Sequence, residues 1–209
     1  MFGYWLTNGQ LIGKAPNFTV VYTLDVIALI VWPGITWKFV PRSIRPSAVD
    51  LGLTSLKRNG ADILQTSILC FVILAMATWA FGGLAWAYLW RYDWILDQGD
   101  GFSWGMMIPA GPAGLVARVY LAVSAGLVEE LYFRGLLKHV LYHITSKEVS
   151  CPLFLLTSAI AFGAIHWEGG LSKLIATTLV GLVAARLFLW LRTVWPLIFA
   201  HAMVDFLFI

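Results

Sequence analysis

Residues 171 to 191 read LSKLIATTLVGLVAARLFLWL, a run long enough to cross a membrane as one helix. A helix rises 1.5 Å per residue, so about 20 apolar residues span the roughly 30 Å of hydrocarbon in a bilayer. Similar runs lie at residues 18–37, 64–90, 113–143, 151–167 and 194–209. They do not alternate apolar with polar residues as strands of a membrane barrel do. The sequence therefore predicts an all-α integral membrane protein, a bundle of about six transmembrane helices.

The composition supports a membrane protein. Of the 209 residues, 60% are hydrophobic and only 12% are charged, so a water-soluble domain would lack the polar surface to cover itself. The net charge of +3 comes mostly from two short loops, which indicates membrane topology and excludes a nucleic-acid partner. Cys70 and Cys151 show neither disulfide nor metal spacing, and we interpret both as packing residues.

The loop charges also predict the orientation in the membrane. Lys38, Arg42, Arg45, Lys57 and Arg58 follow the first apolar run, whereas the loop at 91–112 carries three aspartates beside one arginine. Positive loops stay in the cytoplasm, so we expect both termini outside. The first run is too long for a signal-peptide core and should remain as an anchor. We expect a multi-pass protein of a prokaryotic inner (plasma) membrane, and the sequence leaves the oligomeric state open.

Ionisable residues within the apolar runs need a partner or a function, because a charge at mid-bilayer costs from ~2.5 to more than 10 kcal/mol. Asp25 and Arg118 both lie about 10 Å from the outer ends of their predicted helices, and we expect them to form an ion pair. Arg186 is near a cytoplasmic end and can extend to the interface. The other such residues are Glu129, Glu130, Arg134, His166, His201 and Asp205.

These six residues fall into three short motifs, Glu129-Glu130-Leu-Tyr-Phe-Arg134, Phe162-Gly-Ala-Ile-His166 and His201-Ala-Met-Val-Asp205. Residues four apart share a helix face, so Arg134 can neutralise Glu130, and His201 faces Asp205. Glu129 is turned about 100° away and is left without a cation. A carboxylate in that setting suits general-base catalysis near neutral pH. We interpret Phe162 as a packing residue.

A carboxylate and an imidazole can hold a water molecule between them and remove its proton. Further polar groups opposite can stabilise the oxyanion formed when that water attacks a carbonyl. The set therefore suffices for direct hydrolysis of an amide in a partly dehydrated polar cavity, with no Ser or Cys nucleophile and no cofactor. Two alternatives remain at this point: the groups only join helices, or His166, His201 and a carboxylate bind zinc.

The three motifs resemble those of the CPBP family, the CAAX-prenyl endopeptidase and bacteriocin-processing or immunity (Abi) proteins, whose pattern is EExxxR, FxxxH and HxxxN or HxxxD. The resemblance covers roughly residues 111–209, which we expect to form a catalytic helical core, with N-terminal membrane helices and loops at 1–110 in the same structural unit. It implies a glutamic-type intramembrane endopeptidase with a bundle of transmembrane helices and a cavity open to water and membrane.

The resemblance also implies roles for the residues. Glu129 would activate the hydrolytic water with help from His166, while His201 and Asp205 would stabilise the oxyanion. Glu130 and Arg134 would support the first glutamate. Well-understood members carry Asn where this chain has Asp205, so this aspartate must be protonated to donate a hydrogen bond, or else orient His201.

The expected partners are the lipid bilayer and a membrane-associated protein or peptide, cleaved at a prenylated CAAX tail, a leader or a C-terminal sorting tail. Two other functions fit the same charges. One is a non-catalytic immunity or binding protein on this fold, and the other is a small transporter or channel.

Overall fold

The computed structural model describes residues 31–53, 60–95 and 111–208, with Thr23, Val26, Ile27 and Ile108. The chain is all-helical, with 86% helix and no strand within this described part. The helices are α1 (Trp32–Phe39), α2 (Gly60–Leu89), α3 (Pro112–Glu130), α4 (Leu137–Ile144), α5 (Lys147–Ala164), α6 (Gly170–Leu191) and α7 (Trp195–Phe208). Short 3-10 turns lie at Arg42–Ile44, Trp90–Ile95 and Trp167–Gly169.

The helices fall where the apolar runs predict them, with two differences. The run at 18–37 and the expected partner Asp25 lie largely outside the described residues, so the count of six spans stays a prediction. The run at 151–167 forms a helix only to Ala164, and His166 lies in the turn that follows. Two helical segments, Asp62–Tyr92 and Gly170–Leu191, are long and apolar enough to cross a membrane.

The run at 113–143 forms one continuous helical rod, because α3 and α4 are joined by the π-helical turn Leu131–Leu136. The backbone N–H of Leu137 donates to the carbonyl of Tyr132, five residues back instead of four. The Ser158 hydroxyl of α5 donates to the Phe133 carbonyl at 2.9 Å, so a neighbouring helix binds a carbonyl of the widened turn. This turn begins directly after the two glutamates, and Arg134 lies inside it.

The helices enclose a common interior. α2 packs against α6 and α7, α3 packs against α7, and α5 packs against α6 and the π turn. Since α3 runs directly into the π turn, these contacts close a ring. Leu74, Phe154, Phe188 and Leu197, one from each of four helices, are almost completely buried in the core of that ring. The exposed side chains include many large apolar residues, a surface suited to lipid.

Gly126 allows α3 and α7 to approach closely one turn before the glutamates. A Cβ atom at this position would lie 2.8 Å from the Ile198 carbonyl oxygen and 2.9 Å from the Ala202 nitrogen. Both are backbone atoms of α7, so no side chain can rotate to make room. The glycine therefore sets the helix separation that brings Glu129 and Glu130 to His201.

A segment at residues 41–53 packs against the other end of the rod. The His139 Nε2–H donates to the Ile44 carbonyl at 3.1 Å. A Cβ atom at Gly135 would lie 2.8 Å from the Leu51 carbonyl oxygen, so this loop contacts the backbone of the π turn. The turn that carries Arg134 is therefore held from α5 on one side and from this loop on another.

We expect Gly126→Ala to lower the free energy of unfolding by about 1–3 kcal/mol, because the added methyl group meets α7 backbone. Gly83→Ala is the matched control, since a Cβ atom there meets nothing within 4 Å. That control should be neutral or stabilising by up to about 1 kcal/mol, as alanine favours helix. Denaturant unfolding in detergent micelles measures both, and equal effects of the two substitutions would contradict the close approach.

Candidate active site

Glu129 and Glu130 are the last two residues of α3, and both are buried. The apolar α3 brings them to the interior because Gly126 lets it lie against α7. Glu130 is 1% exposed and Glu129 is 7% exposed. Two adjacent carboxylates removed from water are costly, so each requires polar neighbours or a proton.

Glu130 has two basic partners. Its Oε2 lies 3.2 Å from Arg134 Nε, which is the pair that the spacing of four residues predicts. Its Oε1 accepts a hydrogen bond of 2.8 Å from the Nδ1–H of His201 on α7. Glu130 therefore links the π turn to α7. One of its oxygens is in a hydrogen bond, and the other is at ion-pair distance from the arginine.

Arg134 is completely buried, with 0% exposure. Within the described part of the chain, none of its three guanidinium nitrogens has an aligned hydrogen-bond acceptor, although the Glu130 carboxylate is within ion-pair distance. The guanidinium carbon lies 4.5 Å from the centre of the Phe162 ring, on α5. The charge of Arg134 is thus compensated by one carboxylate and by the face of an aromatic ring.

Glu129 is engaged differently from its neighbour. Its Oε2 lies 3.9 Å from His201 Nε2 and has no hydrogen-bond partner among the described residues. No ion pair within 4.0 Å joins Glu129 to Arg134 in the described part of the chain. Glu129 is therefore turned away from the arginine, but it is near a histidine that the spacing argument did not place beside it.

His201 connects three carboxyl groups. Its Nδ1–H binds Glu130, while Nε2 lies 3.6 Å from Asp205 Oδ2, one turn along α7, and 3.9 Å from Glu129 Oε2. The spacing of four residues predicts the contact of His201 with Asp205, but it does not predict the hydrogen bond with Glu130. Because Glu130 already fixes the ring through Nδ1, the orientation of His201 does not require Asp205.

His166 lies in the turn after α5, with φ −109° and ψ 15°. Its Nδ1–H donates to the Phe162 carbonyl at 2.8 Å, which leaves Nε2 available to accept a proton. No ion pair within 4.0 Å joins His166 to Glu129 among the residues that the structure describes. The structure brings five of the six predicted residues into direct contact, and His166 joins them through Phe162.

Phe162 is buried, as its interpretation as a packing residue predicts, but the sequence did not predict which residues it contacts. Its ring contacts Arg134, His166 and His201, with centroid distances of 5.0 Å to His166 and 5.6 Å to His201. Its neighbours are therefore one residue from each of the three motifs. The available signal was its position four residues before His166, which places both side chains on one helix face.

The cluster can carry out acid–base chemistry at a carbonyl. It supplies a carboxylate oxygen that has no hydrogen-bond partner in the described structure, a histidine whose Nδ1–H is hydrogen-bonded so that Nε2 is its proton acceptor, and a second histidine among three carboxyl groups. No group of three His, Cys, Asp or Glu side chains among the described residues has the arrangement of a metal site.

Comparison with known proteins agrees with this chemistry. Residues 111–207 match a protein-family model described as Type II CAAX prenyl endopeptidase Rce1-like. The matched region begins just before α3 and includes all six predicted site residues. Searches of curated proteins and of solved structures gave no match.

The buried pair makes a specific prediction for stability. Arg134→Met should lower the free energy of unfolding by about 3–5 kcal/mol, because it leaves the buried Glu130 carboxylate without its cation. The double variant Glu130→Gln with Arg134→Met should recover much of this loss, since no charge is then stranded. Unfolding in detergent measures both variants.

Arg186→Met serves as the control for Arg134→Met, since Arg186 is an exposed arginine on α6. It should change the unfolding free energy by no more than about 0.5 kcal/mol. If the double variant is as unstable as Arg134→Met, the pair does not compensate charge in the way described.

Proposed function

We propose that this protein is a glutamic-type intramembrane endopeptidase, because residues 111–207 match the family model described as Type II CAAX prenyl endopeptidase Rce1-like. It hydrolyses a peptide bond of a membrane-associated protein or peptide, and Glu129 activates the water. The substrate has a CAAX-type tail, a leader or a C-terminal sorting tail. The protein is a multi-pass component of a prokaryotic inner membrane, with residues 111–209 as its catalytic core.

The different engagement of the two adjacent glutamates is the observation that favours this function. Glu130 accepts a hydrogen bond from His201 and lies 3.2 Å from Arg134, whereas the one basic neighbour of Glu129 within 4.0 Å among the described residues is His201 Nε2, at 3.9 Å. A carboxylate committed to an arginine is a poor base, because its charge is already neutralised. A buried carboxylate without such a partner can take a proton from water.

The proposed reaction proceeds in two steps. Glu129 removes a proton from water, the oxygen bonds to the carbonyl carbon, and the carbonyl electrons move to the oxygen to form an oxyanion. The oxyanion then collapses, the C–N bond breaks, and the amine leaves with the proton held by Glu129. The Nε2 of His201, when protonated, can donate to the oxyanion, and His166 Nε2 assists the proton transfers.

We expect Glu129→Gln to abolish processing, with a fall in rate of at least about 100-fold, since the amide cannot act as a base. The measurement is a comparison of the membrane proteome of cells with the wild-type or the Glu129→Gln protein, in search of an uncleaved precursor. Glu129→Gln is nearly isosteric, so the protein should remain folded. Asp62→Asn on α2 is the matched carboxyl-to-amide control outside the site and should process normally.

The outcomes separate the alternatives. Processing by the glutamine variant at the wild-type rate would rule out the glutamate mechanism. If the cellular phenotype of the protein persists in the Glu129→Gln variant and no cleavage is seen, a binding or immunity protein is favoured. Ion flux in liposomes without cleavage would favour a transporter. Loss of cleavage in a strong chelator, restored by zinc, would favour a metalloprotease.

Asp205 is proposed to act next to the oxyanion, and Asp205→Asn tests this. An asparagine amide donates a hydrogen bond without titrating, so the variant should process substrate within about 10-fold of wild type. Asp205→Leu lacks a donor and should be slower by about 100- to 1,000-fold. The rates of precursor cleavage across pH give the test.

If Asp205 must be protonated to donate, wild-type cleavage falls at high pH and the Asn variant loses that dependence. An Asp205→Leu protein that is as active as wild type would remove Asp205 from the site.

A further inference from the structure

Three ionisable groups meet on the ring of Phe162, which is 5% exposed. The Arg134 guanidinium lies 4.5 Å from the ring centre, and the imidazole rings of His166 and His201 lie at 5.0 and 5.6 Å. Arg134 belongs to the π turn, His201 to α7 and His166 to the end of α5. The ring of Phe162 is therefore the contact that all three motifs share.

The electrostatics of the ring suit this position. The face of an aromatic ring is negative and its edge is positive, so a cation over the face is attracted, most strongly where water is excluded. Arg134 is fully buried, and none of its three nitrogens has an aligned acceptor in the described part of the chain. The ring face therefore adds to the compensation of the Arg134 charge, for which Glu130 is the only carboxylate within 4.0 Å among the described residues.

The surroundings prevent the ring from turning away. A Cβ atom at Gly181 on α6 would lie 3.1 Å from both Cβ and Cδ1 of Phe162, so α6 lies directly against this side chain. The Phe133 ring packs edge-on at 5.8 Å. The Phe162 carbonyl also accepts the Nδ1–H of His166, so one residue contacts that histidine through both its backbone and its ring.

We propose that Phe162 is a positioning residue of the hydrolytic site. The face of its ring holds Arg134 in place beside Glu130, and the ring and carbonyl together set the separation of His166 from His201. The proposal rests on the proposed function, because positioning is meaningful only if these groups act on a substrate. It gives the second motif a role beyond its histidine.

The test replaces Phe162 by mono-, di- and trifluorophenylalanine, which keep the shape of the ring while progressively weakening the negative charge of its face. We expect kcat for cleavage of the precursor that accumulates with Glu129→Gln to fall with each fluorine, by about 10- to 30-fold in total, the range of a desolvated cation–π contact. KM should change less than about threefold. The denaturant midpoint of unfolding should fall along the same series.

Phe154 provides the matched control. It is also a buried phenylalanine on α5, but its ring packs against Phe188 at 6.1 Å and no cation lies over it among the described residues. Fluorination there should leave kcat unchanged. Phe162→Leu, which removes the ring altogether, should lower kcat at least as far as the trifluorinated variant.

The readouts distinguish the possible failures. A flat unfolding series at Phe162 overturns the contact with Arg134, and the proposal with it. A falling midpoint with an unchanged kcat shows a ring that stabilises the fold but does not position the site, which also overturns the proposal. If Glu129→Gln cleaves at the wild-type rate, the proposed function fails and the positioning role fails with it, while the unfolding series still reports the contact.

Discussion

A carboxylate and a guanidinium, Glu130 and Arg134, meet inside an apolar ring of helices, where neither charge is stable alone. Burying such a pair costs desolvation energy that their mutual attraction recovers only with good supporting contacts. The structure supplies these contacts as the Nδ1–H of His201 on one side and the Phe162 ring on the other. The pair therefore fixes the places of groups from α5 and α7 as well as its own.

Each of the three motifs brings two functional groups together by the same spacing. Glu130 with Arg134, Phe162 with His166, and His201 with Asp205 are each four residues apart. A single helix could not gather these groups, because a face offers only a few positions at that depth. The bundle brings them together by close packing, which Gly126 permits between the backbones of α3 and α7 and Gly181 permits between α6 and the side chain of Phe162.

The sequence predicts the all-helical class and most helix positions, because runs of apolar residues in a chain of this composition leave few other structures. Spacing also predicts the contacts within a helix, such as Arg134 with Glu130. It cannot predict contacts between helices, which depend on packing, so the hydrogen bond between His201 and Glu130 and the position of Phe162 come only from the structure. The π turn and the end of α5 before His166 likewise depend on neighbouring elements.

The two adjacent glutamates cannot exchange roles, because the helix turns them to different neighbours. Glu130 faces along the rod toward Arg134, and these two buried charges compensate each other. Arg134 forms no ion pair within 4.0 Å with Glu129 among the described residues, although the two acidic residues adjoin in sequence. Had both carboxylates shared the arginine, neither would be available as a base. Had neither been paired, the helix end would be too costly to bury. Because Glu130 is paired with Arg134 and the adjacent Glu129 is not, the site can be stable while one carboxylate stays available as a base.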